Sequence, residues 1–448
     1  MKAPAQPHAR APWIALVPMS CARPPPRSKR RAAGAETAVQ PQMRRPVGAS
    51  PIWGMPRAQA PVSVAVHARN RPAAGEWEKM ARRADVDNSV GQGLAYTGAG
   101  GEHTVQAKKF ELTTSRQFES WLAEHRINIA FTTYQVGRLF FVGLSPKGNL
   151  SVFNRTLERC MGLAYADGAL WVASLCQILK FVDVAAERAL EAGYDSLFVP
   201  QVSYYTGDID AHDLAVGPDG RPIFANTLFS CLSTVSEDHS FRAVWTPPFI
   251  DRLAAEDRCH LNGVACEDGN PRYATAVAAT NVADGWRDHR GDGGIVLDCQ
   301  SSEIIARGGS MPHSPRLHNG KLYVLDSGSG YFGQLEPDDG HFEAIAFCPG
   351  FLRGLDFIGN FAVVGLSKPR GNKTFSGLPL DENLTKHAVD ARCGLYVVDL
   401  TSGDIVHWIV LEGLVGELFD VAILPDRTNT AAIGFKSDEI RRVISIGD

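Results

Sequence analysis

Three histidines lie at the same point of a phrase that the chain repeats with variation. His212, His260 and His313 each stand at the start of a short apolar segment that ends in an Asp-Gly or Asn-Gly pair. Neutral imidazole nitrogens are good ligands for zinc and iron, and three of them leave one coordination position open for a substrate. The chain has no His-x-His or His-Glu-x-x-His motif. The prediction that the three side chains meet therefore rests on their shared position in the repeat.

Other copies of the phrase carry charged or amide side chains at this position or beside it. Their oxygen atoms suit a hard cation such as calcium, which is a second use of the set. A carboxyl group that acts as acid or base and a guanidinium that holds a carboxylate or phosphate would complete an enzyme site. The predicted roles are metal ligation by His212, His260, His313 and Asp213, catalysis by Glu417, Arg353 and Asp420, and substrate binding by Arg316, Arg353 and Asn262.

The same polar residues also have a purely structural interpretation. An aspartate at the start of a strand often accepts hydrogen bonds from nearby backbone N–H groups, and His212 with Asp213 can form such a cap. If the whole set is structural, replacing His260 or His313 by alanine costs stability and nothing else. We favour the chemical interpretation because polar residues recur at one level of the repeat.

The elements that must position these residues are the two strands of each phrase. In His212-Asp-Leu-Ala-Val-Gly-Pro-Asp-Gly220 an apolar strand ends in a tight turn, and a second strand follows at Ile223. Such turns between apolar runs are the strongest local signal of a β-hairpin. The copies recur about every 40 to 65 residues, which is typical of propeller blades. In a propeller the first strand of each blade lines the central channel, so the recurring polar residues are expected at one channel mouth.

The repeats predict an all-β fold, a β-propeller with seven blades, or with six if the first and last units merge. A strand over residues 105–112 is expected to complete the last blade, so that N- and C-terminal strands pair and close the ring. Phe118, Trp121 and Leu122 have helical spacing and predict a short helix over residues 115–125. A two-sheet β-sandwich is the alternative fold. The lack of alternating strands and helices argues against a Rossmann or barrel fold.

Composition divides the chain into three parts. Of its 448 residues, 44% are hydrophobic and 21% are charged, which is ordinary for a globular protein. Residues 1–75 hold 12 Lys or Arg, one acidic residue and 13 of the 27 prolines, so their formal charge is about +11. Because the whole chain carries −4, the remainder carries about −15. We predict a disordered basic tail over 1–75, a lead-in with one strand and a short helix over 76–126, and the propeller over 127–448.

The tail has three competing explanations. It can be a targeting peptide, a basic arm for an anionic surface, or the product of a start of translation placed too early. In the last case the protein begins near Met43, Met55 or Met80. We favour this explanation because the tail has no amphipathic pattern.

Other features of the sequence bound the location and the partners. The nine cysteines are scattered and form no Cys-x-x-Cys pair, as expected of reduced thiols in a cytoplasmic protein. No run approaches 18 apolar residues, so no membrane span is predicted. The acidic balance of the predicted propeller argues against nucleic acid as a partner. A small-molecule ligand is the expected partner, with a protein partner as the alternative.

Several phrases resemble those of a bacterial family of conserved hypothetical β-propeller proteins. The resemblance covers about residues 105–446, and the phrases are Phe131-Thr-Thr-Tyr-Gln135, Met161-Gly-Leu-Ala164, His212-Asp-Leu-Ala215, His260-Leu-Asn-Gly-Val-Ala265 and Met311-Pro-His-Ser-Pro-Arg316. More distantly, the Asn-Gly-Val-Ala phrase is similar to the senescence-marker/gluconolactonase propellers and to NHL-type repeats. In the former, Glu, Asn and Asp hold a divalent cation at the channel mouth, and lactones are hydrolysed. Asn262 matches that Asn, whereas His260, His313 and Arg353 depart from the pattern and favour a different metal or an anionic substrate.

These observations together predict a metal-dependent hydrolase or lyase that acts on a small anionic substrate at the channel mouth. The expected cofactor is a divalent metal ion, with Zn, Fe and Ca as the candidates. Two segments, residues 281–293 and 368–391, are expected to cover the mouth. The alternative function is a non-catalytic propeller that binds a ligand or a protein.

Overall fold

The computed structural model describes residues 110–185, 190, 193–369 and 375–446. The predicted tail over 1–75 and most of the predicted lead-in lie outside these residues. The described strands form six sheets of four or five strands, which pair antiparallel with one exception. The fold is a β-propeller, and each of the six sheets is one blade.

Each sheet runs from an innermost strand to an outermost strand. From inside to outside, sheet 1 contains Val421–Pro425, Ile127–Thr133, Arg138–Leu144 and Leu150–Thr156. Sheet 2 contains Leu163–Ala166, Ala169–Ala173, Gln177–Asp183, Ser196–Tyr205 and Thr430–Ala432. Sheet 3 contains Ala211–Val216, Pro222–Asn226, Cys231–Thr234 and Arg242–Trp245.

The other three sheets follow in chain order. Sheet 4 contains Leu261–Glu267, Asn270–Ala276, Gly294–Asp298 and Glu303–Gly309. Sheet 5 contains Pro312–His318, Lys321–Asp326, Tyr331–Leu335 and Phe342–Phe347. Sheet 6 contains Phe351–Ile358, Phe361–Ser367, Gly394–Asp399, Ile405–Glu412 and Glu111–Thr114.

The Asp-Gly and Asn-Gly pairs form the predicted hairpin turns. Both residues of Asp167-Gly168, Asp268-Gly269 and Asn319-Gly320 have positive φ angles. Positive φ at both central residues defines the type I′ turn, whose twist matches that of the strands it joins. These turns connect the first and second strands of sheets 2, 4 and 5. The repeated phrase is therefore the inner hairpin of a blade.

The innermost strands contact one another in cyclic order, from sheet 1 through sheet 6 and back to sheet 1. Glycines permit the closest approaches. A Cβ atom on Gly263 of sheet 4 would lie 2.3 Å from Cδ of Pro315 in sheet 5. A Cβ atom on Gly354 of sheet 6, where φ is +77°, would lie 2.6 Å from the backbone N of Val421 in sheet 1. At these two points the backbone of one strand packs directly against the neighbouring strand, and there is no room for a side chain.

The described residues form six blades rather than seven, which is the alternative count. The last predicted unit does not build a sheet of its own, because its few strands join existing sheets. Val421–Pro425 pairs with Ile127–Thr133 of sheet 1, and Thr430–Ala432 pairs in parallel with the first residues of Ser196–Tyr205. Of the strand predicted over 105–112, Glu111 and Leu112 belong to the strand Glu111–Thr114, which pairs with Ile405–Glu412 of sheet 6 rather than with the last unit.

Among the described residues, helices lie in connections between strands and after the last strand. The predicted helix is present as α1, Phe118–His125, and buries Phe118, Trp121 and Leu122 against sheets 1 and 6. A second helix, α2, Pro379–His387, lies in the insertion between the second and third strands of sheet 6. Short 3-10 helices span Gly285–His289 and Asp438–Arg441. None of the helices in the described ranges has the length and apolar character needed to span a membrane.

The cysteines in the described residues are free thiols, and most of them are buried. Burial raises the pKa of Cys160, Cys259, Cys348 and Cys393 to about 12. A thiol becomes reactive only as the thiolate, so these cysteines are inert packing residues. The cytoplasmic location stays a prediction from the sequence.

Candidate functional site

Five of the predicted site residues come together where the innermost strands begin. His212 and His313 are the second residues of Ala211–Val216 and Pro312–His318, and His260 directly precedes Leu261–Glu267. Arg353 is the third residue of Phe351–Ile358, and Glu417 lies four residues before Val421–Pro425. All five are buried, with 3–7% of their surface exposed. We call these five residues, contributed by sheets 3, 5, 4, 6 and 1, the mouth residues.

The three imidazole rings cluster as the repeat predicted. The ring centres of His212 and His260 are 4.8 Å apart, and those of His212 and His313 are 6.3 Å apart. Phe419, which precedes the innermost strand of sheet 1, packs edge-on against His212 at 5.3 Å. Sequence reasoning missed Phe419, because an aromatic residue in an apolar segment carries no sign of a site.

Each histidine is held through Nδ1. His212 Nδ1 donates to the carbonyl of Asp210 at 2.9 Å and lies 2.8 Å from Oγ1 of Thr227, whose hydroxyl donates to the carbonyl of Leu261. His313 Nδ1 donates to the carbonyl of Met311 at 2.8 Å. A carbonyl only accepts, so the proton of each neutral ring sits on Nδ1, and Nε2 carries a lone pair.

His260 differs from the other two histidines because its Nδ1 contacts a carboxylate. Nδ1 lies 2.9 Å from Oδ2 and 3.1 Å from Oδ1 of Asp257. The indole Nε1 of Trp286 donates to the same Oδ2 at 2.8 Å, and its ring stacks on His260 at 4.1 Å. Neither partner was predicted as a site residue. The spacing of three between Asp257 and His260 was visible in the sequence, but the left-handed turn that brings them together was not.

Burial keeps two of the histidines neutral. It lowers the pKa of His212 to about 4, and the nearby His260 and Arg353 act in the same direction while Asp210 opposes them. Burial, with Arg353 and His212, lowers the pKa of His313 well below its usual value. For Asp257, burial acts to raise the pKa, but His260 and Trp286 outweigh it and the net pKa is lowered. Asp257 is therefore a carboxylate beside three ring systems.

Nε2 of His313 and Nδ2 of Asn262 are buried polar atoms with no hydrogen-bond partner among the described residues, and both residues are at least 97% buried. The other end of the Asn262 amide accepts a hydrogen bond from Thr275 at 2.8 Å. Unpaired buried polar atoms cost about 1–3 kcal/mol each, so they indicate a place where a ligand or water supplies the partner.

A guanidinium among aromatic rings forms the other side of the mouth. Arg353 Nη1 donates to Oε1 of Glu417 at 3.2 Å. Its guanidinium lies 4.4 Å from the ring centre of Phe419, 5.3 Å from that of Phe351 and 6.0 Å from that of Phe375. The aromatic surroundings lower the local dielectric constant, which strengthens the attraction between this cation and an anion at the mouth.

The structure places Arg316, Asp213 and Asp420 in a separate group. Arg316 contacts both oxygens of Asp213 and lies 3.7 Å from Asp420. The two carboxylates also accept backbone N–H groups, of Val264 for Asp213 and of Leu163 for Asp420. Burial and the charge of Asp213 raise the pKa of Asp420, against the effect of Arg316. These three predicted site residues tie the sheets together, as the structural interpretation anticipated for the aspartates.

Both segments that were expected to cover the mouth contribute residues to it. Trp286 belongs to residues 281–293, and Phe375 belongs to the described part of residues 368–391. They pack in one buried cluster with Phe351, Leu378 and Leu380. The mouth is thus walled by two insertions as well as by the strand ends.

Metal coordination is not formed in this arrangement. Within the part of the chain that the structure describes, no three His, Cys, Asp or Glu side chains are placed so that they could hold one ion. Asp213, which was predicted as a ligand, is paired with Arg316 instead. The three Nε2 atoms are nevertheless the right kind of donor, because a metal-bound histidine usually anchors its other nitrogen as these do.

The fold and the mouth residues define a six-bladed β-propeller with a histidine-lined polar site. Over residues 116–433 the chain matches a family described as a domain of unknown function, DUF4915, and it belongs to that family. The match confirms the resemblance to a family of uncharacterised propellers. The comparison with curated proteins gave no match.

Solved structures with a similar fold are distant in sequence. A chain of a nidogen/laminin complex is 11% identical, with a TM-score of 0.43 and coverage of 67% of this chain and 99% of that one. Virginiamycin B lyase from Staphylococcus aureus is 11% identical, with a TM-score of 0.31 and coverage of 68% and 99%. A protein assigned as a gluconolactonase is 12% identical, with a TM-score of 0.34 and coverage of 59% and 91%. These likenesses carry no argument about activity.

Proposed function

We propose that the mouth is the active site of a hydrolase or lyase that acts on a small anionic substrate. The observation that carries the proposal is the common anchoring of His212, His260 and His313 through Nδ1. This anchoring leaves three Nε2 lone pairs beside a guanidinium. Such a site accepts protons and hydrogen bonds on one side and binds negative charge on the other.

The donors and acceptors specify the chemistry of the ligand. Three imidazole acceptors need hydrogen-bond donors, and Arg353 would repel a donor that is itself a cation. Hydroxyl groups satisfy both conditions, and a carboxylate or phosphate on the same molecule would pair with Arg353. The free N–H of Asn262 suits a ligand oxygen, which keeps its predicted role in substrate binding. The proposed substrate is therefore a small hydroxylated acid.

Proton transfer is assigned to His260. Its Nε2 takes a proton from the substrate or from the attacking water, and the carboxylate of Asp257 balances the charge that forms on the ring. The same proton then returns to the leaving group as the scissile bond breaks. Arg353 holds the anionic group in place. Glu417 contacts Arg353 at 3.2 Å and orients it, in addition to the role as acid or base predicted for Glu417.

The predicted divalent metal ion would be held by the Nε2 atoms of His212, His260 and His313. The donor set fits zinc or iron, which prefer imidazole nitrogen. There the ion would polarise a substrate oxygen. Coordination by all three rings requires His313 to approach, since its ring centre is 6.3 Å from that of His212. A calcium site at Asp213 and Asp420 is disfavoured, because Arg316 already contacts both carboxylates.

Binding of two matched acids tests the ligand chemistry. Tartrate carries two hydroxyl groups that succinate lacks, and both carry the same carboxylates. We expect tartrate to bind the full-length protein at least tenfold more tightly than succinate in calorimetric titrations. The preference should be lost in a His212→Ala/His260→Ala/His313→Ala variant and kept in His318→Ala, which removes a half-buried histidine at the far end of Pro312–His318. Equal binding of the two acids, or binding of neither, would overturn the proposal.

Elemental analysis and zinc titration of the same proteins test the metal. Near one equivalent of metal in the wild type, lost in the triple variant but kept in His318→Ala, supports the metal-assisted form. Absence of binding in all three proteins leaves the metal-free form with His260 as base. Tartrate binding without turnover of any hydroxy-acid ester or hydroxy acid would instead establish the non-catalytic ligand-binding propeller.

A further inference from the structure

We infer that Asp257 and Trp286 are positioning residues that fix His260 in the mouth as the Nδ1–H tautomer, with its Nε2 free to take a proton. The inference rests on the proposed function for the role of Nε2. It concerns two residues for which the repeat gave no prediction. Neither would touch the substrate through its polar atoms, so both act through His260.

The three side chains form a closed set of contacts. Asp257 Oδ2 accepts from His260 Nδ1 at 2.9 Å and from Trp286 Nε1 at 2.8 Å. The indole ring of Trp286 also stacks on the imidazole, with the ring centres 4.1 Å apart and the planes at 28°. The carboxylate therefore fixes one nitrogen of the imidazole, and the indole fixes the plane of the ring.

The backbone that carries this set is strained and firmly tied. Asp257 and His260 both have positive φ, 42° and 51°, a conformation that is costly for residues other than glycine. Arg258, between them, is 2% exposed and donates to Asp251, Glu256 and Asn281. Strain of this kind persists only where surrounding contacts impose it, and it concentrates at functional sites.

Trp286 reaches the site from a different segment, which is fastened to the same turn. The backbone N of Asp284 donates to the carbonyl of Glu256 at 3.0 Å, and Asn281 accepts from Arg258 at 2.6 Å. The guanidinium of Arg287 lies 4.4 Å from the centre of the indole ring. The segment that walls the mouth thus also sets the orientation of the imidazole.

The anchors distinguish His260 from its neighbours. His212 and His313 donate to neutral carbonyls, and burial holds their pKa values low, so they serve as neutral acceptors. His260 donates to a carboxylate, which compensates a proton gained at Nε2. Asp257, His212 and His313 are titratable groups that interact electrostatically with His260. His212 Nδ1 lies 3.7 Å from the carboxylate of Asp210, so His260 is the one of the three rings whose Nδ1 contacts a carboxylate at hydrogen-bond distance.

Nitrogen-15 NMR of the histidine rings tests the inference without any substrate. We expect His260, assigned by the signal lost in His260→Gln, to be the Nδ1–H tautomer in the wild type. Asp257→Asn should convert it to a mixture of tautomers. Trp286→Phe keeps an aromatic ring but loses the N–H donor, and should shift the His260 signals. Trp245→Phe is the matched control, because Trp245 lies in the outer strand of sheet 3 and its indole N–H donates to Ser302.

Binding of tartrate separates this inference from the proposed function. Loss of an anchoring partner of this kind commonly costs about 10–100-fold in affinity or activity. A fall in that range for Asp257→Asn and Trp286→Phe, with Trp245→Phe unchanged, supports both. The expected tautomer with no tartrate binding would overturn the function and keep the positioning pair. An Nε2–H tautomer in the wild type, or NMR signals unchanged in both variants, would overturn the positioning pair alone.

Discussion

The guanidinium of Arg316 and the carboxylate of Asp213 face each other through two parallel hydrogen bonds, each 2.8 Å long. Arg316 also donates to the carbonyl of Leu355 at 3.0 Å and to that of Val264 at 3.3 Å. One side chain of sheet 5 is thereby connected to sheets 3, 4 and 6. Because these donors are used within the protein, we assign Arg316 a structural role in holding the blades together rather than a role in substrate binding.

Replacing Arg316 by methionine should therefore act on stability. The change leaves Asp213 as a buried carboxylate without its cation, and breaking a buried pair in this way costs about 3–5 kcal/mol. Chemical denaturation gives the free energy of unfolding. The double variant Arg316→Met/Asp213→Asn should recover part of the loss. A stable Arg316→Met that fails to bind tartrate would instead return Arg316 to the substrate site.

His212 should make the protein less stable as the pH falls from about 6.5 to 4. Its pKa in the folded state is lowered to about 4, so in this window the unfolded chain binds a proton that the folded chain does not. The shift corresponds to about 3 kcal/mol at full effect. Thermal and chemical unfolding of the wild type and His212→Gln should therefore differ in pH dependence, with a smaller loss in the variant. Parallel curves would show that the pKa of His212 is not lowered in the folded protein.

Asp326 should have the opposite pH dependence. Burial raises its pKa to about 7, although hydrogen bonds from Ser329 and from the backbone N of Ser310 oppose the shift. The folded state keeps the proton between about pH 4 and 7, so its stabilising effect is complete below pH 4 and lost as pH rises towards 7. Asp326→Asn has no such titration. Relative to the wild type it should gain about 4 kcal/mol in unfolding free energy between pH 4 and 8.

The exposed carboxyl of Asp338 provides the control for this measurement. Asp338→Asn should follow the wild-type curve at every pH. If Asp326→Asn does the same, the buried carboxyl does not hold its proton near neutrality.

Gly263 should not tolerate a side chain. A Cβ atom there would lie 2.3 Å from both Cδ of Pro315 and Oγ1 of Thr275. Sheets 4 and 5 would have to separate, and overpacking of this kind costs about 1–3 kcal/mol. Gly291→Ala, where nothing lies within 4 Å of the added carbon, should be neutral. Equal melting temperatures for the two variants would show that sheets 4 and 5 can accommodate a Cβ atom at this contact.

The sequence predicted the hairpins and the cluster of histidines because both depend on local pattern. Asp-Gly and Asn-Gly pairs mark the turns directly, and His212, His260 and His313 share one position relative to them. The blade count depended on where the last strands pair, and strand pairing between the two ends of the chain has no local signal. The strand Thr430–Ala432 illustrates this, because it adds to the outer edge of sheet 2 although only three of its residues pair.

Arg316, Asp213 and Asp420 were assigned to chemistry from the sequence, because residue type and position alone do not show which side chains pair. Asp213 and Arg316 are 103 residues apart, and their pairing depends on how the blades are arranged around the ring. Asp257 and Trp286 were missed for a related reason. Left-handed backbone at Asp257 and His260 comes from tertiary contacts, which no spacing reveals.

The innermost strand of sheet 1 has a consequence for biosynthesis. Val421–Pro425 is made almost 300 residues after its partner Ile127–Thr133, and Glu417 and Phe419 arrive with it. Because domains form during synthesis only from residues that have left the ribosome, the nascent chain can complete sheets 3, 4 and 5 long before the site exists. At that stage the three histidines are present while the innermost strand of sheet 1 is still missing. A chain truncated before this strand would keep the histidines but lack Phe419, which packs against His212.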